Sequence, residues 1–123
     1  MIRWKLENVA GALFLALLVN TAYIAAFADP TVFYMGNVVV HFLLGLALAV
    51  AVGLLFGRRK ELARELAVPA ALGTLALVSG VWLAVAGNTM QNRWLLWTHV
   101  VTACLGVAAL VPWAWRKTTP GGG

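Results

Sequence analysis

The sequence predicts an all-α membrane protein, an up-down-up-down bundle of four transmembrane helices. The chain is 63% hydrophobic and only 11% charged, which is far more apolar than a soluble domain of this size can bury. Its apolar residues fall into four runs of about 20 residues, the length that crosses a bilayer. Short connections separate these runs, so consecutive helices are expected to be antiparallel neighbours.

The four spans follow one another along the chain and are expected at residues 9–28, 37–56, 68–87 and 94–115. The first run also resembles a signal peptide that ends at "AFA". Its length of about 19 residues suffices to cross a membrane, and we interpret it as a helix. Pro69 falls in the first turn of the third span, where a proline loses no hydrogen bond. Residues 1–117 are therefore expected to form one transmembrane domain, and residues 118–123, "TTPGGG", a flexible tail.

The basic residues indicate how the chain is oriented. The net charge is +5, and eight of the nine basic residues flank the spans on the side of both chain termini, whereas Asp29 and Arg93 fall on the opposite side. The positive-inside rule then places both termini in the cytoplasm. A multi-pass protein of the bacterial inner membrane is expected. Because the charges alternate with the spans and form no single patch, the partner is membrane lipid and no nucleic acid is expected.

The two histidines, His41 and His99, lie inside apolar runs. Each is followed seventeen residues later by a basic pair, and the segments "ALLVNTAYIAAFAD" and "ALVSGVWLAVAGN" resemble each other with one gap. Together these features indicate an internal two-helix repeat. Seventeen residues of helix place each imidazole about 25 Å from its cytoplasmic exit, in the outer leaflet and at one depth. On diagonal helices about 12–14 Å apart, the two rings suit one metal held between them, as in a bis-histidine haem.

Small residues share the faces of the helices that carry the histidines. Gly45 lies one turn after His41, and Ala103 and Gly106 lie one and two turns after His99. These positions would leave room for a flat macrocycle, whereas the alternative is that they only permit close helix packing. A histidine in lipid is costly and by default indicates function, although it can also serve as a hydrogen-bonding group between helices.

Groups that support a haem can also be predicted. Each imidazole is expected to give its second N–H to a backbone carbonyl or a hydroxyl. Thr98 and Thr102 are candidates, although threonines in helices usually bond their own backbone. Arg93 is expected either to pair with a haem propionate, helped by Asn92 or Asn37, or simply to be solvated.

The remaining polar and aromatic residues have structural interpretations. Four tryptophans at the ends of the spans are interpreted as interfacial anchors: Trp94, Trp97, Trp113 and Trp115. Glu61 and Glu65 share a helical face and are expected only to be solvated. Cys104 is the single cysteine, so the chain forms no internal disulfide, and without a C-x-x-C-H motif it attaches no ordinary c-type haem.

The segments "NVVVHFLLG" and "LLWTHVVTACLG" resemble those of the small four-helix membrane cytochromes b, in which haem is held between transmembrane histidines. The resemblance covers about residues 8–116. It implies one haem b with His41 and His99 as the axial ligands of its iron. The chain departs from the diheme members of that family, which carry four ligating histidines.

These features predict an electron-transfer subunit that is not an enzyme by itself. It would relay electrons between a quinol or a periplasmic redox protein and a partner subunit of the membrane, and a quinone is a further candidate partner. Two alternatives stay open. One is a cofactor-free assembly subunit whose histidines bond across helices, and the other is a chlorophyll-binding subunit of a photosynthetic complex.

Overall fold

A computed structural model describes residues 5–27 and 31–118, which are almost entirely helical. Five α-helices and one short 3-10 turn follow each other: α1 (Leu6–Ala26), α2 (Val32–Arg58), α3 (Lys60–Glu65), α4 (Ala67–Ala86), the turn Met90–Asn92, and α5 (Arg93–Thr118). Within the described ranges no residue forms a β-strand. The all-α class is thereby confirmed.

Four helical segments are long and apolar enough to cross a membrane: Leu6–Ala26, Val32–Arg58, Ala67–Ala86 and Met90–Thr118. Their large apolar side chains are mostly exposed; Val19, for example, is 72% exposed and Val85 84% exposed. Of the apolar residues that the structure describes, just five are buried: Ala10, Ala51, Leu55, Ala76 and Leu95. Helices that are apolar on every side suit a lipid environment. The four predicted spans are therefore confirmed as helices of spanning length and composition.

The helix bounds differ from the predicted ones at two connections. Helix α2 begins at Val32, five residues before the predicted start, because the Thr31 hydroxyl caps its first turn by accepting a hydrogen bond from the Tyr34 backbone N–H at 3.0 Å. The connection after α2 contains the short helix α3. Helix α5 continues through Pro112 to Thr118.

Parts of the orientation and tail predictions rest on residues that lie outside the described ranges. These residues are Arg3, Asp29 and 119–123.

The chain divides into two compact units between Arg59 and Lys60. In the first unit, α1 and α2 pack against each other as an antiparallel hairpin. Glu7 forms an ion pair with Arg59 at one end of this hairpin, and Asn20 donates to the Asn37 backbone carbonyl at 3.2 Å toward the other. The single four-helix domain expected from the sequence stays a prediction.

The second unit consists of α3 and the antiparallel hairpin of α4 and α5. At one end of the hairpin, the rings of Trp82 and Trp94 meet edge to face with their centroids 5.4 Å apart. At the other end, the Trp113 indole N–H donates to the Glu65 carboxylate at 2.9 Å, and the Lys117 ammonium lies 3.6 Å from the same oxygen. Glu65 is thus paired, and not only solvated as the sequence predicted.

Candidate functional site

His99 reaches from α5 to the backbone of α4. Its Nδ1 lies 2.6 Å from the carbonyl oxygen of Ala76. A carbonyl oxygen can only accept a hydrogen bond, so Nδ1 carries the proton and donates. The ring is half-buried, and Ala76 itself is buried. Nδ1 is therefore the atom through which the His99 ring donates to α4.

A glycine makes this approach of the His99 ring possible. A Cβ atom at Gly80 would lie 2.8 Å from both Nδ1 and Cε1 of His99, which is closer than real Cβ atoms come to a neighbour. Gly80 lies one helical turn after Ala76, on the same face of α4. The carbonyl that binds the imidazole and the glycine that accommodates it therefore form one site on α4.

His41 makes the corresponding contact in the first hairpin. Its Nδ1 lies 3.3 Å from the Thr21 hydroxyl oxygen on α1. That hydroxyl donates its own hydrogen to the Leu17 carbonyl at 2.7 Å, so toward His41 it can act only as an acceptor. Nδ1 of His41 is then the donor. Both histidines thus donate from Nδ1, but to different acceptors.

This arrangement matches the one that metal-ligating histidines commonly have. Such a histidine donates one ring N–H to a carbonyl, carboxylate or hydroxyl, which fixes its orientation and leaves the other nitrogen as the ligand. The expected type of partner, a backbone carbonyl or a hydroxyl, is present for both imidazoles. In each case it comes from the preceding helix of the hairpin.

The threonines beside His99 do not supply this contact. The Thr98 hydroxyl donates to the Trp94 carbonyl at 2.8 Å, and that of Thr102 donates to the Thr98 carbonyl at 2.6 Å. Both bond their own helix, which was the alternative predicted for threonines. Sequence reasoning missed Thr21 and Ala76 as partners, because neither a threonine in an apolar helix nor a backbone carbonyl carries a signal that points to a histidine on another helix.

The small residues of the predicted site occupy different surroundings. The space beside Gly45 is open, since a Cβ atom there would meet nothing within 4 Å. Ala103 is half-buried one turn after His99. Gly106 is buried, and a Cβ atom there would lie 3.5 Å from that of Leu72 on α4. Gly106 therefore serves close packing of α4 and α5, whereas Gly45 has room beside it.

The polar residues predicted to hold a propionate have protein contacts of their own. The Arg93 guanidinium lies 3.9 Å from the Met90 sulfur and is exposed. The Asn92 side chain donates to the Gly87 carbonyl at 3.2 Å, where it satisfies the end of α4. The Asn37 side chain donates to the Phe33 carbonyl at 2.8 Å. Asn92 and Asn37 are thus engaged in local structure, and Arg93 is the group best placed to meet an external anion.

Side chains that ligate metal ions form no cluster among the described residues. Within them, no group of three or more histidine, cysteine or carboxylate side chains could hold a metal ion, and a structural zinc site needs four ligands. Haem iron already has four porphyrin nitrogens and takes axial ligands from the protein. His41 and His99, the two imidazoles of the chain, lie in separate compact units.

No family model matches the chain, and neither a curated protein nor a solved structure shows a significant match to it.

Proposed function

We propose that the protein is a membrane electron-transfer subunit that binds one haem b with His41 and His99 as its axial ligands. It would relay electrons between a quinol or a periplasmic redox protein and a partner subunit. The observation that carries this proposal is the hydrogen-bond pattern shared by the two imidazoles, each of which donates from Nδ1 to an acceptor on the preceding helix.

The residues have defined tasks in this proposal. When bound, the haem supplies a centre that gains and loses a single electron. The Ala76 carbonyl and the Thr21 hydroxyl hold the two rings. By accepting hydrogen bonds from the Nδ1–H groups, they would also increase the basicity of Nε2. His41 and His99 would both hold the haem and leave no coordination position for a substrate, so the haem would supply electron transfer and not chemistry on a substrate.

The correspondence of the two hairpins supports a common role for the histidines. With one gap, the repeat aligns Asn20 with Ser79 and Thr21 with Gly80. Asn20 and Ser79 are the buried polar residues of the described chain, and Thr21 and Gly80 lie beside the two imidazoles. We interpret this as an internal two-helix repeat in which each half contributes one ligand.

The charge distribution supports the proposed orientation, in which both termini are cytoplasmic and the protein crosses a bacterial inner membrane four times. The ion pairs of both hairpins, Glu7 with Arg59 and Glu65 with Lys117, involve the basic residues assigned to the cytoplasmic side. Arg93 follows the short connection on the opposite side. There it would pair with a haem propionate.

A second candidate function is a cofactor-free assembly subunit, and the same hydrogen bonds favour it. An imidazole that donates to a neighbouring helix stabilises helix pairing whether or not a metal is present. On this candidate, replacing the histidines changes only the stability of the hairpins. No spectrum in the visible range would be associated with the protein.

A difference spectrum separates these functions. The protein is expressed in bacterial membranes with haem supplied, purified in detergent, and measured as dithionite-reduced minus oxidised. A haem b gives sharp α and Soret bands, which we expect to disappear when both histidines are changed to alanine and to persist in Trp97→Leu, an exposed position of the same helix. Bands further to the red would indicate chlorophyll, and a featureless spectrum would support the cofactor-free subunit.

A further inference from the structure

An amide with an unsatisfied oxygen lies in the first hairpin. Asn20 of α1 is only 8% exposed. Its Nδ2 donates to the backbone carbonyl of Asn37 at 3.2 Å and approaches the Asn37 side-chain oxygen at 3.3 Å. Because a carbonyl cannot donate, the nitrogen must face Asn37, which fixes the orientation of the amide. The Asn20 Oδ1 is buried and has no hydrogen-bond partner among the described residues.

The same amide lies on the wall of a groove between α1 and α2. The groove has a volume of about 570 Å³, and its lining includes Asn20, Asn37, Tyr23, Val19, Val40 and Leu44. This volume falls within the range of small-molecule sites. Most of the lining is apolar, with two amides and one phenol grouped together. It suits a molecule with a polar ring and an apolar remainder.

A small rotation of the Asn20 side chain would bring its buried, unsatisfied oxygen to the groove, where it would select the chemical state of the bound molecule. The Asn20 Oδ1 can only accept a hydrogen bond, so it discriminates in favour of a ligand that carries an O–H group at this point. A hydroquinone carries such groups and its oxidised quinone does not. The aromatic ring of Tyr23 and the apolar residues beside it would contact the ring and its tail.

The groove also lies close to one of the proposed ligands. Asn37 is one helical turn before His41 on α2, and Asn20 directly precedes Thr21, which accepts from His41. We propose that the Asn20–Asn37 groove binds a membrane-soluble hydroquinone, held by a hydrogen bond from its hydroxyl to the Asn20 Oδ1. The choice of hydroquinone over another hydroxyl-bearing lipid rests on the proposed electron-transfer function.

Binding to the whole purified protein in nanodiscs tests this inference. Three probes are titrated without oxygen, with tryptophan fluorescence as the readout: decylubiquinol, decylubiquinone and dioctanoylglycerol. We expect decylubiquinol to bind at least about tenfold more tightly than decylubiquinone, the ratio that follows from one unsatisfied buried acceptor. Equal affinities for these two, or tighter binding of dioctanoylglycerol, would overturn the proposal; the latter would assign the groove to a lipid hydroxyl.

Variants of the groove connect the binding to Asn20. Asn20→Leu should abolish the preference for decylubiquinol, whereas Asn8→Leu, which replaces an exposed amide of the same helix, should preserve it. Val40→Trp fills the groove without touching the amide pair and should weaken binding of both quinone forms, which covers the case that Asn20→Leu fails to fold. Wild-type affinities in Val40→Trp would contradict the inference.

The haem spectrum recorded on the same samples separates the two proposals. Selective binding of decylubiquinol without a haem spectrum would leave the groove assignment in place and contradict the electron-transfer function. A haem spectrum without selective binding would support the electron-transfer function and contradict the groove assignment.

Discussion

At the scale of single residues, the two imidazoles are positioned by acceptors of different strength. His99 donates to a backbone carbonyl at 2.6 Å, and His41 donates to a hydroxyl at 3.3 Å. The carbonyl of Ala76 is fixed by its helix, whereas the hydroxyl of Thr21 depends on one side chain. The two histidines should therefore respond differently to substitutions in their surroundings.

Gly80→Ala tests the close contact with His99. The added Cβ atom would lie 2.8 Å from the ring, so the imidazole or the helix must move, and we expect the free energy of unfolding to fall by about 1–3 kcal/mol. Gly73→Ala is the matched control on the same helix, because a Cβ atom there meets nothing within 4 Å; it should be neutral or slightly stabilising. Both are measured by denaturant unfolding in detergent. Equal losses in the two variants would contradict the contact.

Thr21→Val tests the acceptor of His41. Valine has nearly the shape of threonine but cannot accept a hydrogen bond from Nδ1, so under the proposed ligation the imidazole would become a weaker donor to ferric iron. We expect the haem midpoint potential to rise by about 20–60 mV, the equivalent of one hydrogen bond for a one-electron couple. A redox titration measures it. Thr98→Val, which removes a hydroxyl that bonds its own helix, should leave the potential unchanged, and a similar rise in both variants would argue against the role of Thr21.

At the scale of elements, each hairpin is held together by contacts at its ends. Glu65 of α3 binds Trp113 and Lys117 of α5. The Trp113 indole N–H first, and the Lys117 ammonium second, lower the pKa of the Glu65 carboxyl from its ordinary value. Because the pKa is lower in the folded protein, these contacts stabilise the protein at pH values above the ordinary pKa, and the contribution is lost as the pH falls through the lowered value.

Glu65→Gln is therefore expected to lower the Tm slightly at pH 7, since exposed pairs are weak. The difference from the wild type should vanish as the pH falls through the lowered pKa of Glu65, where the wild-type carboxyl also becomes neutral. Glu61→Gln, on the same short helix, is the control and should leave the Tm unchanged. Thermal unfolding in detergent across the pH range measures this. A difference that persists at acidic pH would show that charge is not its cause.

The elements were predictable because lipid imposes a simple rule on composition. An apolar run long enough to cross a bilayer must form a helix, since its backbone groups have no other partners there. The starts of helices were less predictable: the Thr31 cap that extends α2 is a local hydrogen bond, and the apolar residues after it could equally belong to a loop. The short helix α3 lies in a charged connection for which no helix was predicted. Glu65, at its end, has partners on α5.

The candidate site was predictable only in part. The two histidines stand out, because an ionisable residue in an apolar run is costly. The hydrogen-bond partners of the histidines do not stand out in the sequence. A backbone carbonyl such as that of Ala76 has no sequence signal, and Gly80 resembles any glycine of a packed helix. Gly106 was expected beside the haem, and it lies against Leu72; spacing along a helix identifies a face but not what covers it.

At the scale of the whole molecule, the proposed orientation in the membrane can be tested by labelling single cysteines. In a Cys104→Ala background, Gln91→Cys and Lys60→Cys place single thiols at exposed positions of two connections. We expect an impermeant maleimide applied to the periplasmic side of intact cells to label Gln91→Cys, and Lys60→Cys only after lysis, because basic connections stay in the cytoplasm. Labelling of Lys60→Cys in intact cells would contradict the orientation.

Both imidazoles are proposed to bind one iron, and the haem content together with the spin state of the iron tests this ligation. Electron paramagnetic resonance of the oxidised, haem-supplied protein should show a low-spin ferric signal, with about one haem per chain by pyridine haemochrome assay. His41→Ala and His99→Ala should each lose the low-spin signal, and with it most of the haem. Should either variant retain both at the wild-type level, or the wild type bind no haem, the histidines are not its ligands.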